Sequence, residues 1–394
     1  MQDLGVGVIA LGWMGRLHAR GYASLAERYP ELGVQPRLLW AADPVQSNQA
    51  DARRMGFEQT TADYREVLAD PAVDVVSICG PNFLHHEIAL AAIAAGKPFW
   101  IEKPMGVNAA QSGEIARAAA AAGLITAVGF NYRHQPAVMH ARALIRSGAL
   151  GRITNVRAWL IADYASSAAG PLTWRYSREK AGAGVVGDLL SHGGDLVQFL
   201  VGRIASVSAM TGTFIPTRPL PLGQGVGHAA VAVSDELGPV ENEDYVAVLG
   251  RTDDGVLVTL ESSRVAVGPR SEYVIEVYGT GGSVRWNFEF PQHLQVLIDG
   301  EGAHHGYTSV MSDSSHGDYG RFQPGPGMTM SFDDLKTVEA GLFVAGVLSG
   351  TQLAPSAADA WSAAEVDEAV VASAADGRWH QVPRVTGATT YDRA

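Results

Sequence analysis

The chain has 394 residues, 47% of them hydrophobic and 18% charged, enough to bury more than one sizeable core. Its 41 acidic and 29 basic side chains leave a formal net charge of −12, which would repel a phosphate backbone and argues against a nucleic-acid partner. No basic amphipathic stretch marks a membrane surface, and the one cysteine, Cys79, excludes an internal disulfide framework and a multi-thiolate zinc site.

The opening MQDLGVGVIALGWMG is apolar but has no charged lead and no small-residue cleavage site, and glycines break it before it could span a bilayer. It is expected to be a buried strand of a cytoplasmic protein. Up to about residue 150, apolar runs at 4–10, 38–42, 73–79, 99–101 and 125–129 alternate with helical stretches at 16–29, 64–68, 85–95 and 109–122. Such alternation predicts βαβ units: an α/β Rossmann domain with a doubly wound parallel sheet, over residues 1–150. Cys79 reads as a small buried hydrophobe at a strand end.

After Gly151 strand-like runs follow one another, at 154–162, 206–214, 245–249, 256–262, 273–278, 283–288 and 294–298, with one helix at 185–200. They predict an α+β domain with a large, mostly antiparallel open sheet over residues 151–350. Residues 216–238 and 311–327, rich in Gly, Pro, Ser and Asp, read as long loops. Two further helices are expected at 332–348 and 357–374, and residues 351–394 as a C-terminal helix and tail.

The first strand runs into Ala10-Leu11-Gly12-Trp13-Met14-Gly15 and then a helix. Gly12 stands where backbone must approach a pyrophosphate, and Gly15 where helix and strand pack closely. The helix N-terminus offers phosphate its N–H groups and partial positive charge. Ala10 replaces the first glycine of a full fingerprint, and its methyl is expected to be accommodated if the backbone there is ordinary. Asp43, at the end of the second strand, would accept the adenosine ribose hydroxyls and repel a 2′-phosphate, so the expected cofactor is NAD; otherwise it forms a turn before Pro44.

Three clusters hold residues fit for chemistry. Pro81-Asn82-Phe83-Leu84-His85-His86 lies at a strand end, where open α/β sheets bind ligands, so Pro81, Asn82 and His85 are expected along the cofactor, although a histidine on a helix is more often satisfied locally. Glu102-Lys103-Pro104 places one of only four lysines at another strand end, where its ammonium can stabilise an alkoxide. Asp188 and His192, four apart on a helix, share a face; histidine suits the removal of a hydroxyl proton, and a carboxylate can orient it. Alone, that pair reads equally as a helix-terminal carboxylate and a half-buried histidine. No third ligand accompanies them, so no metal is expected.

Together the glycine turn, Pro81-Asn82-Phe83-Leu84-His85, Glu102-Lys103-Pro104, Gly129-Phe130-Asn131-Tyr132-Arg133, Trp174-Arg175, Asp188…His192…Asp195 and Phe332-Asp333-Asp334-Leu335-Lys336 resemble the glucose–fructose oxidoreductase/inositol dehydrogenase (Gfo/Idh/MocA) family. The resemblance implies Lys103, Asp188 and His192 as the catalytic set, with His192 taking the proton. It also implies a cis Lys103–Pro104 peptide and Glu102 beside the cofactor. Tyr132, Arg133, Trp174, Arg175 and Asp195 would surround the substrate, and a homo-oligomer, dimer or tetramer, would form through the antiparallel sheet. The implied activity is oxidation of a secondary hydroxyl of a small polyhydroxylated molecule, a sugar, cyclitol or aminosugar, to a ketone. Asp163, Asp188 and Asp195 favour a polyhydroxylated or amino-bearing ring, and the arginine and alanine bias points to a GC-rich genome and secondary metabolism. An NAD-assisted glycosidase and a non-catalytic NAD-binding regulator are the alternative readings.

Overall fold

The computed structural model describes residues 2–223, 231–300 and 305–388. These fall into two compact units, one of residues 1–131 with 331–361, the other of residues 132–330 with 362–394. The units do not follow linear segments. The helix Phe332–Ser349, read from sequence with the second domain, belongs to the first unit.

In the first unit, β1 (Gln2–Ile9), β2 (Val34–Ala42), β3 (Gln59–Thr61), β4 (Val75–Ile78), β5 (Phe99–Ile101) and β6 (Thr126–Val128) form an all-parallel sheet in the order β3-β2-β1-β4-β5-β6. This is the doubly wound dinucleotide-binding order. The stretch expected as one helix over 16–29 begins earlier and divides at Ser24 into Trp13–Ala23 and Leu25–Arg28. Phe332–Ser349 packs on Trp13–Ala23 and is closed by a Ser331/Asp334 capping box and a left-handed Gly350.

In the second unit, β7 (Ile153–Ala162), β8 (Ile204–Gly212), β11 (Tyr245–Thr252), β12 (Leu257–Ser263), β13 (Ser271–Gly279), β14 (Gly282–Asn287), β15 (His293–Ile298), β16 (Thr308–Met311) and β17 (His380–Gln381) build a nine-stranded sheet, while β9 (Thr217–Pro221) and β10 (Val233–Pro239) pair separately. Its order is β16-β15-β14-β13-β7-β12-β11-β8-β17, antiparallel throughout except for the parallel β7–β12 pair. Alternate side chains such as Val156, Ala158 and Leu160 of β7 face a core that also takes Ala137, Val138, Leu196, Val197 and Val370 from helices. On other positions of the sheet Met210, Leu249 and Leu257 remain exposed.

Two expectations are corrected here. The flanks of the supposed loop at 216–238 pair as an antiparallel ribbon, β9 (Thr217–Pro221) with β10 (Val233–Pro239), while residues 224–230 lie outside the described residues. The supposed loop at 311–327 carries a helical turn, Tyr319–Phe322, whose Tyr319 hydroxyl bonds the Gly325 and Met328 carbonyls. No described helix is long and apolar enough to cross a membrane.

Candidate active site

β1 hands the chain to a turn whose every part has a physical reason. Gly15 is required by contact: a Cβ there would lie 2.1 Å from the Ala10 carbonyl oxygen. A Cβ on Gly12 would meet no described atom within 4 Å, so that side of the turn is open to a phosphate. The helix behind it has Gly12 as N-cap, no side-chain capping bond and no acidic residue in its first turn, which suits an anion. Ala10 departs from expectation. Its φ is +68°, the left-handed region, so the methyl sits in strained backbone and not in an ordinary region.

Asp43 is buried, and its carboxylate accepts from Leu11 N–H at 2.7 Å, Asn48 Nδ2 at 3.1 Å and Val45 N–H at 2.8 Å. The turn-forming role before Pro44 is thus real, and the same side chain ties the Ala10–Gly15 turn to β2. Three of about four lone-pair positions are filled, leaving one for a ribose hydroxyl. Arg16, not picked out from sequence, reinforces this corner. Its guanidinium donates to the Leu11 carbonyl at 3.2 Å, to Asn48 Oδ1 at 3.2 Å and to Asp51 at 2.5 Å. Trp13 is half-exposed and stacks on Phe332 at 5.6 Å, while Met14 is partly buried.

Pro81 and Asn82 open the helix Asn82–Ala94 with Pro81 as its N-cap. His85 is satisfied locally, the alternative its place on a helix offered: its ring lies between two backbone carbonyls, Nδ1 2.9 Å from Pro104 and Nε2 2.8 Å from Gly80. Burial pushes its pKa down against those two bonds. Lys103, partly buried, precedes Pro104 through a cis peptide, as the resemblance implied.

Glu102 is a second correction: its carboxylate turns into the interior. Oε1 accepts from Lys336 Nζ at 2.5 Å and His18 Nε2 at 2.8 Å, and Lys336 also pairs with Glu339 at 2.8 Å. Burial pushes the Glu102 carboxyl up, but Lys336 and His18 outweigh it and hold it well below the usual carboxylate range. Burial likewise opposes the Lys336 charge, and the two glutamates still hold that amine above its ordinary value. His18, stacked on Trp100, is pushed down to about 4 by burial against the pull of Glu102, so it is neutral at pH 7. With Nε2 donating to Glu102, Nδ1 accepts from Ser77 Oγ at 3.0 Å, and Tyr22 donates to that hydroxyl at 3.2 Å. His18 did not stand out in sequence, and Lys336 was legible only as the last residue of the Phe332–Lys336 motif, with no role attached to it. Burial raises the Cys79 thiol well above its ordinary pKa, which keeps it protonated and inert.

In the second unit the helix expected over 185–200 is not uniform. Val186–Leu190 is a π turn and only Ser191–Leu200 is α-helical. The one-face argument for Asp188 and His192 assumed α spacing, and the wider turn changes their relation. Asp188 accepts a 2.5 Å hydrogen bond from the Tyr164 hydroxyl, and Tyr164 is a further residue the sequence reading missed. The His192 ring meets the Tyr132 ring edge-on at 4.9 Å, and its carbonyl accepts from Tyr273 at 2.7 Å. Tyr132 in turn packs edge-on against Tyr273 and Phe288.

Arg133 and Asp195, expected around the substrate, bind each other. They form a buried two-bond pair, Nε to Oδ2 at 2.8 Å with the second bond from Nη2 to Oδ1. Asp163 pairs with Arg270 at 2.5 Å. Trp174 and Arg175 stack on one another in the 3₁₀ turn Trp174–Tyr176, whose Tyr176 ring lies under the buried guanidiniums of Arg218 and Arg264. Among the described residues no group of three His, Cys, Asp or Glu side chains could hold a metal.

Two domain models match this chain. One, described as the NAD-binding Rossmann fold of an oxidoreductase family, covers residues 4–130, and the GFO/IDH/MocA C-terminal domain covers residues 138–285. The chain belongs to the Gfo/Idh/MocA family. Levoglucosan dehydrogenase of Pseudarthrobacter phenanthrenivorans is 35% identical to it over 392 residues, 98% of this chain and 100% of that protein. Inositol 2-dehydrogenase of Rhizobium meliloti is 25% identical over 373 residues, 94% of this chain and 97% of that one. Among solved structures, levoglucosan dehydrogenase in complex with NADH and levoglucosan matches with a TM-score of 0.91 and 34% identity, over 97% of this chain and 100% of that one. This Gfo/Idh/MocA member is therefore an oxidoreductase with NAD as its cofactor, and the open turn at Gly12 and the uncapped helix behind it fit that cofactor.

Proposed function

We propose that this protein is an NAD-dependent dehydrogenase that oxidises a secondary hydroxyl of a neutral, polyhydroxylated ring, a monosaccharide or anhydrosugar, to the ketone. The observation that carries the neutral ring is the pairing of Asp163 with Arg270 and of Asp195 with Arg133. Two of the three aspartates that favoured an amino-bearing ring already have a cation, so little anionic character is left to select an amine. The full-length likeness to a levoglucosan dehydrogenase supports the same class of substrate.

In this reading the Gly12 turn, the uncapped helix behind it and Asp43 would hold NAD, which would supply the hydride acceptor for the carbinol carbon. His192, held by the Tyr132 ring and through its own carbonyl by Tyr273, takes the hydroxyl proton. Asp188, oriented by the Tyr164 hydroxyl, accepts a hydrogen bond from the substrate or from the imidazolium that forms. Lys103, by the family resemblance, supplies the ammonium that stabilises the developing alkoxide. One C–H and one O–H bond break, and the hydride and the proton leave to different acceptors, so the step balances. We also propose a homo-oligomer in which a second copy covers the sheet around Met210, Leu249 and Leu257.

The test is nicotinamide absorbance with NAD against levoglucosan, free sugars, inositols and aminosugars. NADH appearing with a neutral sugar and lost in His192→Ala is expected. Turnover of aminosugars alone would overturn the neutral-ring assignment, and undiminished turnover by His192→Ala would overturn the proton acceptor.

A further inference from the structure

Lys103 is bracketed by two buried polar clamps that share no residue. On its N-terminal side, Glu102 is fixed by Lys336 at 2.5 Å and His18 at 2.8 Å, and its N–H donates to the Ile78 carbonyl at 3.0 Å. On its C-terminal side, the His85 ring sits between two backbone carbonyls, Nδ1 2.9 Å from Pro104 and Nε2 2.8 Å from Gly80, just past β4; a neutral ring has one N–H, and the clamp uses the tautomer in which Nδ1–H donates to the Pro104 carbonyl. His85, Glu102 and Lys336 are 1%, 6% and 1% exposed.

Stability alone does not account for this arrangement. A buried ionic cluster is often no more stabilising than apolar residues of the same volume, because desolvation offsets the attraction. What such a cluster does supply is a single permitted geometry. Lysine needs that supply more than most residues, since its ammonium rides on a flexible four-carbon stem and can be aimed only by fixing the backbone that carries it.

We propose that His85 and Glu102 are positioning residues for Lys103, acting on hydride transfer through the peptides on either side of it and without touching the substrate. This rests on the reading of Lys103 as a catalytic group. A misplacement of about 1 Å can cost roughly 100-fold in rate, so His85→Phe is expected to lower kcat about 10- to 100-fold and leave KM for NAD within about threefold. Glu102→Gln moves in the same direction. If His85→Phe does not accumulate as folded protein, His85→Gln, which keeps one donor, carries the same expectation at smaller amplitude.

The deciding measurements are a double-variant cycle and a chemical one. Single-turnover hydride transfer is compared for His85→Phe, Lys103→Met and the pair, and the pair is expected to be no slower than Lys103→Met alone. Penalties that multiply would overturn the positioning role while leaving Lys103 catalytic. A wild-type rate in Lys103→Met would bring down the Lys103 reading and this proposal with it. Independently of activity, acetylation of Lys103, mapped by peptide mass against exposed Lys180 as internal reference, is expected to change by about threefold or more in His85→Phe. An unchanged Lys103 rate would overturn the proposal.

Discussion

Replacing Lys336 by Met tests the interior ion cluster most directly. In the native protein one ammonium, 1% exposed, faces Glu102 at 2.5 Å and Glu339 at 2.8 Å. Met fills a similar volume but leaves two carboxylates buried, with only the His18 N–H still directed at Glu102. Removing one partner of a buried pair costs about 3–5 kcal/mol, a large part of a typical total of roughly 5–15 kcal/mol. Near the transition that is a fall in Tm of about 10 °C for a unit of this size. The sign with pH follows from the two groups. Glu102 is held below its ordinary value, so its contribution is complete above pH 4.5 and fades only as pH falls towards its folded pKa. Lys336 is held above its ordinary value, so its contribution is complete below pH 10.5 and fades as pH rises beyond. In the Met variant the carboxylates lose that support and bind protons more readily. The gap between the two proteins should thus be widest near pH 8 and narrow towards pH 5. Urea unfolding followed by tryptophan fluorescence at pH 5, 6, 7 and 8 measures it. A loss under about 1 kcal/mol at pH 8, or a gap that stays constant with pH, would refute the reasoning.

Three other substitutions carry definite expectations. Ala10→Gly relieves a left-handed alanine at about 1–2 kcal/mol but loosens the unfolded chain, so thermal unfolding should show a net gain of roughly 0.5–1 kcal/mol. Asp43→Ala frees the Leu11 N–H that holds the phosphate turn, and NAD titrated by fluorescence quenching should bind about tenfold or more weakly, with no comparable gain for NADP. Arg133→Met strands the buried Asp195 carboxylate and should cost about 3–5 kcal/mol in urea unfolding; Arg133→Lys should not restore the loss, because lysine cannot make the paired bonds.

Much of this molecule is legible from its residues, and the failures have identifiable causes. The parallel sheet followed from apolar runs at β1, β2, β4, β5 and β6 alternating with helices, and both C-terminal helices were expected within two residues of their ends. Between β2 and β4 the helix at 64–68 was expected, but residues 46–61 were passed over, because the helix Gln46–Arg54 buries only Asn48 and Ala52 and so shows no apolar periodicity. β9 was hidden by Pro219 and Pro221, which read as turn formers although they sit in a two-stranded ribbon. The π turn at Val186–Leu190 adds one residue to a helix, which composition cannot reveal. At the candidate site, sequence picked out which side chains have chemistry but not which are already engaged. Arg133 and Asp195 are 62 residues apart, and Glu102 and Lys336 are 234 apart, distances over which no local pattern speaks.

That last separation has a consequence for how the chain is made. A ribosome adding about 5–20 residues per second needs roughly 12–47 seconds to go from Glu102 to Lys336. Through that interval the emerging Rossmann segment carries a carboxylate destined for the interior with no cation to meet it, and lacks the helix that packs on Trp13–Ala23. A chain ending at Met330 is expected to leave residues 2–131 open to limited proteolysis, and a resistant segment would contradict this. The part of the protein that is born first cannot be completed until most of the chain has been made, and it waits on a single ammonium 234 residues downstream of the carboxylate it meets.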